Sequence, residues 1–144
     1  MYTTSNLRTL FKVWWLLFDK GFEGEKEVKG LGVFRGSVVK ISSTCSDVKL
    51  PNMGWRTIRN NASLREVEGD GYGSLRNHSF YFMHSYHVIS SFIFDESFSS
   101  LHGDTSILSF LKSKNIIATQ FHPEKSSESG MDLFDLFLTS CGAL

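Results

Sequence analysis

The chain has 144 residues, a formal net charge of zero and a pI of about 7.0, with 41% hydrophobic and 21% charged residues. That is one domain's worth, long enough to bury a core, and the balanced charge gives no electrostatic footprint for nucleic acid or an anionic membrane surface. Its two cysteines, Cys45 and Cys141, are far apart, so they make neither a disulfide framework nor a CxxC metal knuckle.

Residues 1–12 are polar and weakly patterned. The apolar run Val13-Trp14-Trp15-Leu16-Leu17-Phe18 is too short to span a membrane. Asp19-Lys20 follows it directly with no small-residue cleavage site, which argues against a signal peptide. The expectation is a buried helix end, then a charged loop from Asp19 to Lys29. Residues 30–41 read as a turn followed by a β-branched strand. Gly30, Gly32 and Gly36 match neither GxGxxG nor a P-loop spacing, so no phosphate loop is expected. Pro51 and Gly54 bracket a turn that presents Trp55, either as a core plug or as an interface anchor. Residues 59–78 are polar and predict a loop with a short helix. The sequons at Asn61 and Asn77 lack a secretory context.

Ser79 to Val88 is the strongest strand pattern, apolar on both faces at first and therefore expected to be central. His84 and His87 within it are three apart, which opposes a shared side, and no third ligand follows, so no metal site is expected. Phe92-Ile93-Phe94 suggests a short strand. Ser106–Leu111 and Asn115–Phe121 suggest a hairpin around Lys112-Ser113-Lys114. Met131, Phe134, Phe137 and Leu138 recur at helical spacing, with Ser126, Ser127 or Ser129 as candidate caps. The pattern is β-rich with a helix near each end, as in part of an α/β or α+β domain.

Gln120-Phe121-His122-Pro123-Glu124-Lys125-Ser126 carries the chemistry. Strand alternation would put Gln120, His122 and Glu124 on one side. A histidine with a carboxylate beside it is two-thirds of a nucleophile–base–orienter constellation, because the carboxylate fixes the tautomer and stabilises the imidazolium. The plainer alternative is a solvated turn. Catalysis would need a serine or cysteine within reach.

This heptapeptide resembles the C-terminal signature of class I, triad-type glutamine amidotransferases. With Pro51-Asn52-Met53-Gly54-Trp55, His84-Ser85-Tyr86 and Lys29-Gly30-Leu31-Gly32, it resembles more narrowly the glutaminase subunits of imidazole glycerol phosphate synthase, over about residues 16–138. The resemblance implies an α/β fold, the C-terminal part of a flavodoxin-like, three-layer domain, with 1–15 divergent and 16–144 a partial amidotransferase domain. It implies His122 as triad base, Glu124 as its orienter, and Ser85 and Tyr86 holding L-glutamine largely through main chain. Trp55, Tyr81 and Lys125 would face a (β/α)8-barrel cyclase subunit that receives the ammonia. No cofactor or metal is implied, no nucleic acid or membrane partner, and a cytoplasmic location in histidine biosynthesis.

The chain also departs from the family. The family's nucleophile motif, with its cysteine, precedes the equivalent of Leu16-Leu17-Phe18, and Phe11 occupies the cysteine's slot here. Asn52 and Arg56 stand where the family usually has His and Asn. The expectation is a chain inactive by itself, as a truncated or frame-shifted product would be. Alternatives are a non-catalytic remnant or interaction module on the cyclase, or an amidotransferase of another pathway.

Overall fold

The computed structural model describes residues 8–10, 14–23, 26–42, 48–60 and 71–141. Strands β1 (Arg8–Leu10), β2 (Phe18–Glu23), β3 (Lys26–Lys29) and β4 (Phe34–Lys40) come first. They are followed by β5 (Asn52–Thr57), β6 (Arg59–Asn60), β7 (Ser79–His84) and β8 (Tyr86–Ile89). Strands β9 (Glu96–His102), β10 (Thr105–Ser113) and β11 (Ile116–Thr119) precede helix α1 (Ser127–Ser140). Single 3-10 turns cover Trp14–Leu17, Tyr72–Leu75 and Pro123–Lys125.

One sheet has the order β1-β11-β10-β9-β6, a second β3-β2-β4-β8, and β5 pairs with β7 as a two-stranded ribbon. The β10–β11 hairpin is the wall between two cores, and the period of two of a strand explains how. Phe110 and Ile117 point into a core shared with α1, Tyr72 and Leu75, whereas Leu111 and Ala118 point into one shared with β2 and β4. The register agrees: Leu111 lies opposite Ala118, and Lys112 opposite Ile117 with its ammonium over the Tyr72 ring. A mixed α/β layering results, with the five-stranded sheet in the middle, consistent with the flavodoxin-like class expected.

The 112–114 hairpin is as expected, its turn made by Lys114 in the left-handed region. Several segments differ from their sequence reading. The N-terminal helix is one 3-10 turn, because the carbonyls of Leu16, Phe18 and Asp19 accept from the amides of Leu31, Gly32 and Gly30 instead of continuing a helix. Gly30 is required there, since a Cβ would lie 2.0 Å from the Phe18 carbonyl oxygen. The charged stretch after it is the β2–β3 hairpin, with Lys20 bound to Glu27 at 3.0 Å.

Ser79–Val88 is two strands, not one. β7 pairs with β5, the chain bends at Ser85, and β8 crosses to β4. Residues 52–55 are strand rather than turn, and Phe92–Phe94 is not a strand. Its two phenylalanines pack on Phe34 at 5.2 and 5.3 Å. Strand β9 was unexpected because its sequence is serine-rich. Its buried Ser100 hydroxyl accepts from Ser109 on β10 at 2.9 Å. On α1 the buried face is Gly130 and Leu133, with Leu136 and Phe137 partly buried, while Met131 faces solvent.

Phe121 anchors the end of the hairpin, fully buried and stacked on Phe80 at a 4.0 Å centroid distance. Phe121→Ala should cost about 3–5 kcal/mol, read as a lowered urea midpoint at unchanged slope.

Candidate functional site

The site grows from the end of β11. Thr119 closes the strand, its hydroxyl donating to the Phe121 carbonyl at 3.2 Å. With Phe121 pinned in the core, His122 emerges on the other side of the backbone, and Pro123 starts a 3-10 turn whose fixed φ suits a first helical position. That turn brings Glu124 back: the His122 Nδ1–H donates to Glu124 Oε1 at 2.9 Å. The pair expected from strand alternation exists, but a 3-10 turn makes it, since β11 ends at Thr119. The carboxylate leaves Nε2 as the bare, basic nitrogen. The imidazole is 18% exposed and the carboxylate 46%, so the ring is shielded while its carboxylate partner stays wet.

Two hydrogen bonds sew this turn to β7, and a third closes it on itself. The His122 amide donates to the Tyr81 carbonyl at 2.9 Å. The Ser126 hydroxyl donates to the His122 carbonyl at 2.6 Å and accepts from the Tyr81 amide at 3.0 Å. Ser126 is the residue before α1, yet its side chain makes no capping bond to the helix. It is fully buried and serves the turn instead. α1 presses on the same turn through Gly130, where a Cβ would lie 2.0 Å from the Pro123 carbonyl oxygen. The role of Ser126 was not evident from sequence, where it read as a cap.

Tyr81 connects the turn to the ribbon's outer face. Trp55 lies directly opposite it, edge-on at 6.2 Å, and the Lys125 ammonium sits 6.0 Å from its ring. Trp55 is 48% exposed, which removes the core-plug alternative. Trp55, Tyr81 and Lys125 thus form one surface cluster beside His122.

Ser85 and Tyr86 lie at the bend between β7 and β8. The Ser85 carbonyl accepts from the Ile41 amide at 2.9 Å. His84 precedes them, donating from Nδ1 to the Tyr86 carbonyl at 2.8 Å and bonded through Nε2 to Asn52 at 2.9 Å. Burial pushes the His84 imidazole down to about 4, and the charges of His102, His87 and His122 act the same way against the Tyr86 carbonyl. Burial also lowers His87. Among the described residues no cluster could hold a metal. Cys141 is exposed beyond the last turn of α1, some 20 Å from the start of the helix at 1.5 Å per residue, and Phe11 and Cys45 lie outside the described residues.

Two outcomes follow. Ser126→Ala leaves the Tyr81 amide unpaired and should cost about 1–3 kcal/mol, with faster hydrogen exchange at Tyr81. His84 binds its proton more weakly folded than unfolded, so stability is full above its unfolded pKa near 6.5 and falls as pH drops towards 4. The loss should be on the order of 2–3 kcal/mol, and His84→Gln should flatten that slope in urea titrations from pH 7 to 4.

Residues 33–141 match the family model described as glutamine amidotransferase class-I. The chain is 39% identical over 123 residues to the imidazole glycerol phosphate synthase subunit HisH of Pelagibacter ubique, covering 83% of this chain and 55% of that protein. To subunit HisH 1 of Methanococcus maripaludis it is 37% identical over 123 residues, 85% of this chain and 56% of the relative. To HisH of Methanocaldococcus jannaschii it is 35% identical over 128 residues, 85% and 58%. The chain thus spans a little over half the length of these relatives. With the match covering most of its residues, the chain belongs to the class-I glutamine amidotransferase family.

Proposed function

We propose that this chain carries the base half of a HisH-type glutaminase, the subunit that supplies ammonia to imidazole glycerol phosphate synthase in histidine biosynthesis. The observation that carries this reading is the 2.9 Å bond from His122 to Glu124 within the family's signature turn. In the reaction a thiolate attacks the side-chain amide carbon of L-glutamine, and the C–N bond breaks as His122 Nε2 returns a proton to the leaving ammonia. Water then hydrolyses the thioester, its proton passing to the same nitrogen and its hydroxyl to the acyl carbon, giving glutamate and regenerating the thiol. Glu124 keeps the ring oriented and stabilises its charged form. Ser85 and Tyr86 hold the substrate by main chain, and no cofactor or metal is called for.

The thiolate is the missing part. Cys141 lies at the far end of α1, and Phe11 fills the place where the family carries cysteine. Turnover therefore requires a cysteine-bearing polypeptide besides these residues, with 1–15 as a divergent segment and 16–144 as the partial amidotransferase domain. The setting is cytoplasmic; among the described residues no helix is long and apolar enough to cross a membrane.

Trp55 favours a second, compatible role as a docking module on the (β/α)8-barrel cyclase subunit. A half-exposed tryptophan braced by Tyr81 and Lys125 is the kind of rigid aromatic that dominates interfaces. The chain alone should show no glutamine hydrolysis above background, since loss of the nucleophile removes several orders of magnitude of rate. It should bind the cyclase subunit in calorimetry, and Trp55→Ala should weaken that binding tenfold or more. Turnover by the chain alone, or cyclase binding indifferent to Trp55→Ala, contradicts the reading.

A further inference from the structure

The bend that carries Ser85 and Tyr86 is held by a side chain from another strand. Asn52 opens β5 opposite His84, the last residue of β7, and is completely buried. His84 has two ring nitrogens and both are engaged. Its Nδ1 lies 2.8 Å from the Tyr86 carbonyl oxygen, an atom that can only accept, so Nδ1 carries a proton. A neutral imidazole then has a bare Nε2, which needs a donor. The Asn52 amide nitrogen, 2.9 Å away, supplies it. The reverse amide orientation would set a carbonyl oxygen against a lone pair. The chosen orientation leaves Asn52 Oδ1 buried without a partner, so it is retained at a cost.

We propose that Asn52 is a positioning residue that fixes His84 as the Nδ1–H tautomer and thereby holds the His84–Ser85–Tyr86 backbone in its bend between the ribbon and β4. The grip extends one bond further, because the Ser85 carbonyl accepts from Ile41 just beyond β4. The burial of His84 favours the neutral ring that this arrangement requires. The consequence for substrate rests on the reading of Ser85 and Tyr86 as the main chain that holds glutamine.

The test uses the full 15N-labelled chain, with ring-nitrogen shifts of His84 and amide exchange at Ile41 as readouts. In the wild type, His84 Nδ1 should be protonated and Nε2 bare at pH 7. Asn52→Leu should admit the Nε2–H tautomer and speed Ile41 exchange at least tenfold, while Asn52→His should restore both. A wild-type Nε2 that carries the proton overturns the proposal, even where Asn52→Leu fails to fold. So does an Asn52→Leu chain with wild-type ring shifts and Ile41 protection. Wild-type Ser85 and Tyr86 amides that ignore added glutamine would overturn only the substrate reading, leaving the Asn52 result standing.

Discussion

The hydroxyl of Ser126 is the constraint on which the site depends. One oxygen, fully buried, donates to the His122 carbonyl and accepts from the Tyr81 amide. Beside it the His122 amide closes a second link to the Tyr81 carbonyl. Because a buried unpaired amide or carbonyl costs a substantial fraction of a domain's stability, the turn has little freedom to leave β7. His122 is therefore placed by the backbone, and Glu124 then has only the orientation of the ring to decide. The same strand presents Tyr81 to Trp55 and ends at His84, so three features converge on β7: the His122–Glu124 turn, an aromatic surface and the bend at Ser85.

How much of this was legible in the sequence depends on what set each element. The His122–Glu124 pair was legible because both members lie within one short motif. The reason offered for it, strand alternation, was not the operative one, since a proline four residues after the end of the strand starts a tighter turn that achieves the same meeting. The 112–114 hairpin and α1 were legible from periodicity. β9 was not, because serines face its neighbour through hydroxyl bonds where a strand pattern would show apolar residues. The break at Ser85 was invisible for another reason: Phe80, Phe82 and Val88 are all apolar, but they serve different cores. Hydrophobicity shows that a residue is buried without showing against what.

Asn52 and Ser126 show where side-chain chemistry outruns motif reading. As a motif letter, Asn52 is only a departure from the pattern expected at that position; in the fold its side-chain amide lies 2.9 Å from His84 Nε2. Ser126 looks like a helix cap by position, yet its hydroxyl serves the His122–Glu124 turn. The nucleophile is the contrasting case. No change of hydrogen bonding lets phenylalanine stand in for a thiolate, so on the proposed reading His122 would accept a proton from a thiol that another polypeptide supplies.

The central claim is that His122 is an oriented base with a bare Nε2. Ring-nitrogen NMR of His122, in the wild type and in Glu124→Gln, tests it most directly. The account predicts that the neutral form of the wild-type ring carries its proton on Nδ1, with a shift toward the Nε2–H form preferred by free imidazole once the carboxylate is gone. A wild-type ring already protonated on Nε2, or one that does not respond to Glu124→Gln, would contradict it.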